Sequence, residues 1–374
     1  MKIVIAPDSY KGALRAPQVA DAIAAGWRSV RQQDETVTIP MSDGGEGICE
    51  TLVSAMNGSF LELETVDAMM RPRQGRVGIC KDFAVLESAE ANGIELLTRA
   101  ELNPMRATSY GVGMLLRQLV CRCQCRKIVI GIGGSATVDG GAGMLQALGV
   151  RFLDADLREF PAGIGGGMLR DVKQVDCSGM LPELAGVELT VACDVTNVLC
   201  GAGGSAAVFG PQKGATPDMV LSLDENLRHF AALFEDEGNA PGDGAAGGLG
   251  FALRKVLRAG VMPGAELVMQ CVELDKFLAQ ADLLITGEGC SDDQTACGKL
   301  CAGIAEKAAV HGVPAVLLSG ALRGSCRELE KLFAGCFSIA TGPGDLSAAI
   351  AATKENLFRH SAALAAFASG IIKE

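Results

Sequence analysis

Histidine is nearly absent from this chain: three residues in 374, at positions 229, 311 and 360. Each falls in a stretch that reads as an exposed or boundary helix. Neither a Ser-His-Asp or Cys-His nucleophilic mechanism nor a His-ligated metal is supported. Aromatic polar residues are as scarce, with one tryptophan and two tyrosines, Tyr10 and Tyr110. No apolar run reaches the ~18–20 residues of a membrane span. Ahead of Pro7-Asp8 stands only the short run Ile3–Ala6, where a secretory leader needs ~7–15 apolar residues. The expected location is therefore cytoplasmic. Basic blocks are missing too. With 33 Lys+Arg against 44 Asp+Glu and a net charge of −11, nucleic-acid binding by phosphate neutralisation is not expected. The 14 cysteines are scattered, and the dense spot Cys121-Arg122-Cys123-Gln124-Cys125 lacks C-x2-C zinc spacing, so they read as reduced thiols. A Walker-type P-loop is absent as well. Between Gly289 and Gly298-Lys299 the spacing is too long, and Leu300 replaces the Ser/Thr that would hold magnesium.

What the chain has in excess is glycine: 48 residues, about 13% against a usual ~7%. The length suggests two domains. Short β-branched runs alternate with Ala/Leu-rich helical stretches, the pattern of an α/β protein with largely parallel sheets. Strands are expected at Lys2–Ala6 and Val37–Pro40, then a mixed-sheet pattern from Phe60, and parallel-type strands again at Asp282–Thr286, Pro314–Ser319 and Cys336–Ala340. One Ala-rich helix is expected over Leu346–Ala368. Residues 1–60 plus 280–374 are thus expected to form one doubly wound, discontinuous domain. Residues 61–279 would form a second, mixed-sheet α/β domain inserted into it.

In open α/β sheets ligands collect beyond the carboxyl ends of strands, and here those ends carry Gly beside a carboxylate or a lysine. Candidates are Asp8 and Lys11 after the first strand, and Asp43 and Glu46 around Gly44-Gly45. Farther along stand Asp194, Lys213 in Gln212-Lys213-Gly214, and Glu288 with Asp292, Gln294 and Lys299. Each has an alternative as a solvated turn or a helix cap. Residues 131–136 fit G-x-G-x-x-A after a strand, with Asp154 about 20 residues on, which makes a dinucleotide-linked oxidoreductase the rival reading. Against it, no Tyr-x-x-x-Lys relay is present. Gly244–Gly248 suits either tight helix packing or a phosphate.

Taken together and in order, several segments resemble the bacterial glycerate kinase family of the glycolate- and galactarate-utilisation type. They are Ile3–Lys11, Asp43-Gly44-Gly45-Glu46-Gly47, Ile130–Thr137, Asp139–Met144, Ala192–Asn197, Phe209–Ala215, Gly244–Gly248 and Ile285–Gly289. Departures from the family pattern stand at Val138, Val198, Asp243 and Cys290-Ser291, the last in place of Arg-Leu or Arg-Ile. The resemblance implies ATP- and Mg2+-dependent phosphorylation of D-glycerate, 2-phosphoglycerate being favoured over 3-phosphoglycerate. It also implies a flavodoxin-like domain from both chain ends around an inserted α/β domain. Placed on the matching motifs, chemistry gives Asp194 and Lys11 catalytic roles, and makes Asp8, Lys213 and Ser135 substrate contacts. Gly131, Gly133, Gly134, Gly244, Gly247, Gly248 and Lys299 become nucleotide contacts, and Glu288, Asp292 and Asp43 metal ligands. A ligand-binding protein that has lost catalysis is the third reading, motivated by the departures. The oligomeric state stays open.

Overall fold

The computed structural model describes residues 1–371 other than 46, 293, 294, 296–299, 343 and 344. Among these, thirteen strands follow in chain order: β1 (Lys2–Ile5), β2 (Glu35–Thr38), β3 (Ser59–Val66), β4 (Pro72–Ile79), β5 (Ala84–Glu87), β6 (Lys127–Gly131), β7 (Arg151–Leu153), β8 (Gln174–Asp176), β9 (Glu188–Ala192), β10 (Gly260–Met262), β11 (Leu283–Glu288), β12 (Ala315–Ser319) and β13 (Gly335–Ser338). The chain divides into two compact units. The first comprises Met1–Asp43, Glu50–Asn57 and Ala265–Glu374; the second comprises Gly44–Cys49 and Gly58–Gly264. The expectation set the second junction near 280. The observed division instead leaves the helix Leu274–Leu278 with the first unit, where Lys307 of the following helical layer donates to Asp275 at 3.1 Å.

The first unit is built on a wholly parallel sheet in the order β13-β12-β11-β1-β2. Numbered by appearance within the unit, this is the flavodoxin-like order 2-1-3-4-5, with its switch point between β1 and β11. Ile3, Ile5, Ile285, Val316 and Leu318 are buried in its core, as expected for strands covered by helices. The helix Ala16–Val30 supplies Val19, Ile23 and Trp27 to the same core, each four residues from the last and therefore on one face. It lies against the helix Thr353–Ile371, where Ser361 Oγ donates to the Ile23 carbonyl at 2.7 Å. A side chain at Gly26 would come within 2.2 Å of the Phe358 carbonyl oxygen, so glycine sets how closely these helices approach. The C-terminal helix expected over Leu346–Ala368 is in fact two, Leu346–Ala351 and Thr353–Ile371.

The second unit carries a six-stranded mixed sheet, β10-β9-β6-β5-β4-β3, in which β3, β4 and β5 run antiparallel and the remaining pairs are parallel. A two-stranded ribbon, β7-β8, stands apart. Its core joins Leu86, Leu115, Ile128 and Ile130 to an aromatic group in which Phe230 meets Phe152 at 5.6 Å and Phe234 at 5.2 Å between ring centroids. Among the described residues no helix is long and apolar enough to cross a membrane.

The histidines take structural parts. His229 Nε2 lies 2.6 Å from the Val172 carbonyl oxygen, His311 pairs with Asp275, and His360 Nδ1 lies 2.8 Å from the Asn356 carbonyl oxygen.

Buried Asp34 ties the helix Ala16–Val30 to β2. It accepts from Trp27 Nε1 at 3.0 Å, from Arg31 Nε at 2.6 Å and from the Met1 ammonium at 3.0 Å. Burial alone would raise this carboxyl, but Arg31, the ammonium and Trp27 outweigh it and hold it down at about 2. A folded pKa below the unfolded value of ~3.9 adds stability that is complete above about pH 4 and disappears as pH falls toward 2. Replacing Asp34 with Asn should cost about 3 kcal/mol at pH 7, because Arg31 and the Met1 ammonium lose their buried carboxylate. The variant should also lose part of the wild-type fall in Tm between pH 4 and 2. Thermal unfolding across that range measures both effects, and equal pH profiles would exclude this role for Asp34.

Candidate functional site

A parallel sheet places its ligands where neighbouring connections leave in opposite directions. In the first unit that place is the gap beyond the ends of β1 and β11. Main-chain bonds carry the pairing past the strands: Ala6 N donates to the Ile285 carbonyl at 2.9 Å and Asp8 N to the Gly287 carbonyl at 2.8 Å. Asp8 and Glu288 are thereby brought to one rim. A cavity of about 970 Å³ opens there, lined among others by Asp8, Lys11, Asp43, Glu288, Cys290 and Asn356. That volume lies within the usual range for small-molecule sites, ~300–1,000 Å³.

Close backbone approach explains the glycines at this rim. A Cβ on Gly287 would meet the Leu318 carbonyl oxygen at 2.1 Å and the Tyr10 hydroxyl at 2.7 Å. That hydroxyl is buried and donates to the Leu318 carbonyl at 2.7 Å, so Tyr10 fastens the turn after β1 to β12.

Asp8 is half-buried, and its carboxylate accepts from Ser9 N at 2.6 Å. Burial pushes its pKa up to about 7 against that hydrogen bond, and the negative charges of Asp43 and Glu288 push the same way. Glu288 is half-buried at the last position of β11 and accepts from Ser291 Oγ at 2.9 Å. Lys11 is exposed on the turn.

The structure thus brings Asp8, Lys11, Asp43 and Glu288 to one cavity. Asp292 does not line it. Its carboxylate accepts from Thr295 N at 3.2 Å and closes its own turn. Glu46, Gln294 and Lys299 lie outside the described residues. Sequence reasoning passed over Ser9, Gly320 and Thr341 as lining residues. Their signal was position alone, since Gly320 and Thr341 follow the parallel strands β12 and β13.

In the second unit, Asp194 is exposed just beyond β9, and its Oδ1 accepts from Gly264 N at 2.9 Å. Lys213 stands differently from an exposed contact. It is 2% exposed, and its ammonium donates to Ser135 Oγ at 2.9 Å and to the Thr137 carbonyl at 2.8 Å. Desolvation lowers its pKa to about 7, with Asp139 opposing. Asp139, wholly buried, accepts from Ser109 N and Oγ, both at 2.7 Å, from Gly141 N at 3.1 Å and from Gly143 N at 3.2 Å. Burial pushes its pKa up against those bonds. Lys213 and Asp139 therefore shape the turn after β6 from within.

Gly247 and Gly248 pack against that same turn. Their Cβ atoms would fall 1.8 Å from the Thr137 carbonyl oxygen and 2.7 Å from Gly140 Cα, which accounts for them by packing. Gly244 is likewise pressed against Val198, at 2.2 Å from its carbonyl oxygen. Gly131 is buried, while Gly133 and Gly134 are exposed on the turn.

The dinucleotide reading lacks its structural context. Its fingerprint should open a helix directly, whereas here the helix Ala142–Ala147 begins well past Ala136. Asp154 closes its own turn, accepting from Asp156 N at 2.8 Å and Arg158 N at 2.9 Å. Two departures from the family pattern have local reasons. Asp243 is buried and receives Arg254 Nε at 2.6 Å, and Val138 is buried in the core.

The two lysines give opposite expectations. Lys213→Met leaves Ser135 and Thr137 without their buried donor, costing about 2 kcal/mol, and should lower the Tm of the second unit, a domain of roughly 200 residues, by roughly 4–8 °C. Lys11→Ala, at an exposed turn, should leave Tm within about 1–2 °C. Differential scanning fluorimetry compares them, and a stable Lys213→Met would remove its structural role.

Comparison with known proteins agrees with this architecture. The family model described as the glycerate kinase family matches residues 3–369. Glycerate 2-kinase of Escherichia coli K12 is 40% identical over 374 residues, covering 98% of this chain and 97% of that protein. Glycerate kinase of Bacillus subtilis 168 is 40% identical over 370 residues, covering 97% and 94%. A crystal structure of a candidate glycerate kinase 2 from Salmonella typhimurium LT2 superposes with a TM-score of 0.90 at 38% identity, covering 99% of this chain and 98% of that one. With a parallel sheet of flavodoxin-like order, carboxylates and a lysine at its switch point, and these matches over nearly its whole length, the chain belongs to the glycerate kinase family.

Proposed function

We propose that this protein transfers the γ-phosphoryl group of ATP to the 2-hydroxyl of D-glycerate, giving 2-phosphoglycerate and ADP, as a Mg2+-dependent enzyme of the cytoplasm. The observation that carries the reading is the grouping of Asp8, Lys11, Asp43 and Glu288 around one cavity at the sheet's switch point. Phosphoryl transfer is mostly positioning and charge stabilisation, and such a site can supply both without histidine.

Asp8, with its pKa raised to about 7, is suited to accept the hydroxyl proton near neutral pH. Lys11 would meet phosphate or carboxylate charge at the cavity edge. Asp194, exposed beyond a strand end of the second unit, is retained as the alternative group that orients the hydroxyl.

Like charges crowding Asp8 favour a cation beside it. Mg2+ takes one or two carboxylates together with waters and substrate phosphates, so the residues present fit it. Glu288 and Asp43, which line the cavity, would hold the ion. Bound there, it would neutralise charge on the transferring phosphate. The exposed turn at Gly133-Gly134 is the remaining candidate for backbone contacts to phosphate in the second unit.

Asp8→Asn should lower kcat by roughly 10²–10⁴ with little change in KM for ATP, while folding survives. Asp194→Asn, assayed in parallel, tells which carboxylate handles the hydroxyl. Near-wild-type turnover in either variant removes that residue from the mechanism. Phosphorus NMR of the product made from D-glycerate and ATP tests the whole reading, and a signal from 3-phosphoglycerate, or none, would overturn it.

A further inference from the structure

Ser291 has no part in the chemistry described so far, yet it is wholly buried and touches Glu288. Its backbone is fixed on both sides. Ser291 N donates to the Ala321 carbonyl at 2.9 Å, and Arg323 N donates to the Ser291 carbonyl at 2.9 Å. Its hydroxyl lies 2.9 Å from Glu288 Oε1 and 2.9 Å from Ser319 Oγ, itself fully buried. Ser319 Oγ in turn lies 2.8 Å from the Ala321 carbonyl oxygen.

Two hydroxyl hydrogens serve these three contacts. The ionised carboxylate is the strongest acceptor of the set. Ser291 therefore donates to Glu288, and the Ser319 hydrogen is shared between Ser291 Oγ and Ala321. The direction of the chain is then set: Ser319 supports Ser291, and Ser291 holds one carboxylate oxygen of Glu288. A carboxylate so tethered is restricted in orientation where it lines the cavity, which is how a supporting hydrogen bond preorganises a metal ligand.

We propose that Ser291, backed by Ser319, is a positioning residue that orients Glu288 for the divalent cation. The inference rests on the placement of Glu288 at the cation proposed above. A hydrogen bond to a charged group is strong enough that its loss should weaken cation binding about tenfold.

The test is a titration of the full-length protein with Mn2+ alone, following free Mn2+ by electron paramagnetic resonance, beside steady-state kinetics at varied Mg2+. Ser291→Ala should bind Mn2+ about tenfold more weakly and raise the Mg2+ concentration for half-maximal rate by a similar factor. KM for glycerate should stay within about twofold and Tm within about 2 °C. Ser291→Thr, which keeps the hydroxyl, should recover most of the Mn2+ affinity. Wild-type Mn2+ affinity and Mg2+ requirement in Ser291→Ala would overturn the proposal. So would a loss spread equally over Mn2+ affinity, glycerate KM and Tm, the signature of a loosened fold. A wild-type protein that binds Mn2+, loses affinity on Ser291→Ala and yet does not phosphorylate glycerate would defeat the kinase reading while upholding the part given to Ser291.

Discussion

The site depends on the parallel pairing of β1 with β11. Ile3 is in register with Leu283, Val4 with Leu284 and Ile5 with Ile285, joining the two ends of the chain in one sheet. The ladder continues beyond the strands through Ala6 and Asp8, and Thr286 Oγ1 adds a bond to the Ala6 carbonyl at 2.7 Å. Asp8 and Glu288 therefore stand together because main-chain hydrogen bonds put them there. Their mutual repulsion has to be borne by a framework that does not yield. Wholly buried Ile3, Ile5 and Ile285 beneath the rim, and Tyr10 bonded across to β12, provide that framework.

This arrangement also separates what holds the fold from what lines the cavity. In the first unit the buried acid, Asp34, is surrounded by donors and kept ionised, whereas the acid at the rim, Asp8, is pushed toward neutrality by burial and by its neighbours. The two differ in their partners: Arg31 and Trp27 in one case, Asp43 and Glu288 in the other. Lys213 and Lys11 make the same contrast with positive charge. One is spent inside the second unit on Ser135 and Thr137, while the other lies at an open turn.

Much of this was legible in the sequence, for definite reasons. The apolar run Ile3–Ala6 followed by Pro7-Asp8, and the run ending at Gly287-Glu288-Gly289, mark strand ends that carry acids, because a covered parallel strand is continuously apolar and its polarity begins where it stops. Return of that pattern after residue 280 indicated that both chain ends share a domain. Burial and pairing were not legible. Nothing local distinguishes Lys213 from a surface lysine, since its burial comes from the turn after β6. Asp243 is a lone charge in a glycine-rich stretch, and its partner, Arg254, lies eleven residues on. The assignment of Gly247 and Gly248 to phosphate or to packing turned on Thr137 and Gly140, more than a hundred residues earlier.

The pairing of β1 with β11 has a further consequence, for biosynthesis. Ile3, Val4 and Ile5 are synthesised well before one of their two neighbouring strands, which begins at Leu283. At roughly 5–20 residues per second this leaves β1 and β2 waiting for tens of seconds without their central partner. The second unit, whose strands β3 to β10 are continuous in the chain, can meanwhile assemble behind them. Strand β1 thus keeps an unpaired apolar edge until β11 is made, so the stage most exposed to misassociation comes before the rim that carries Asp8 and Glu288 exists.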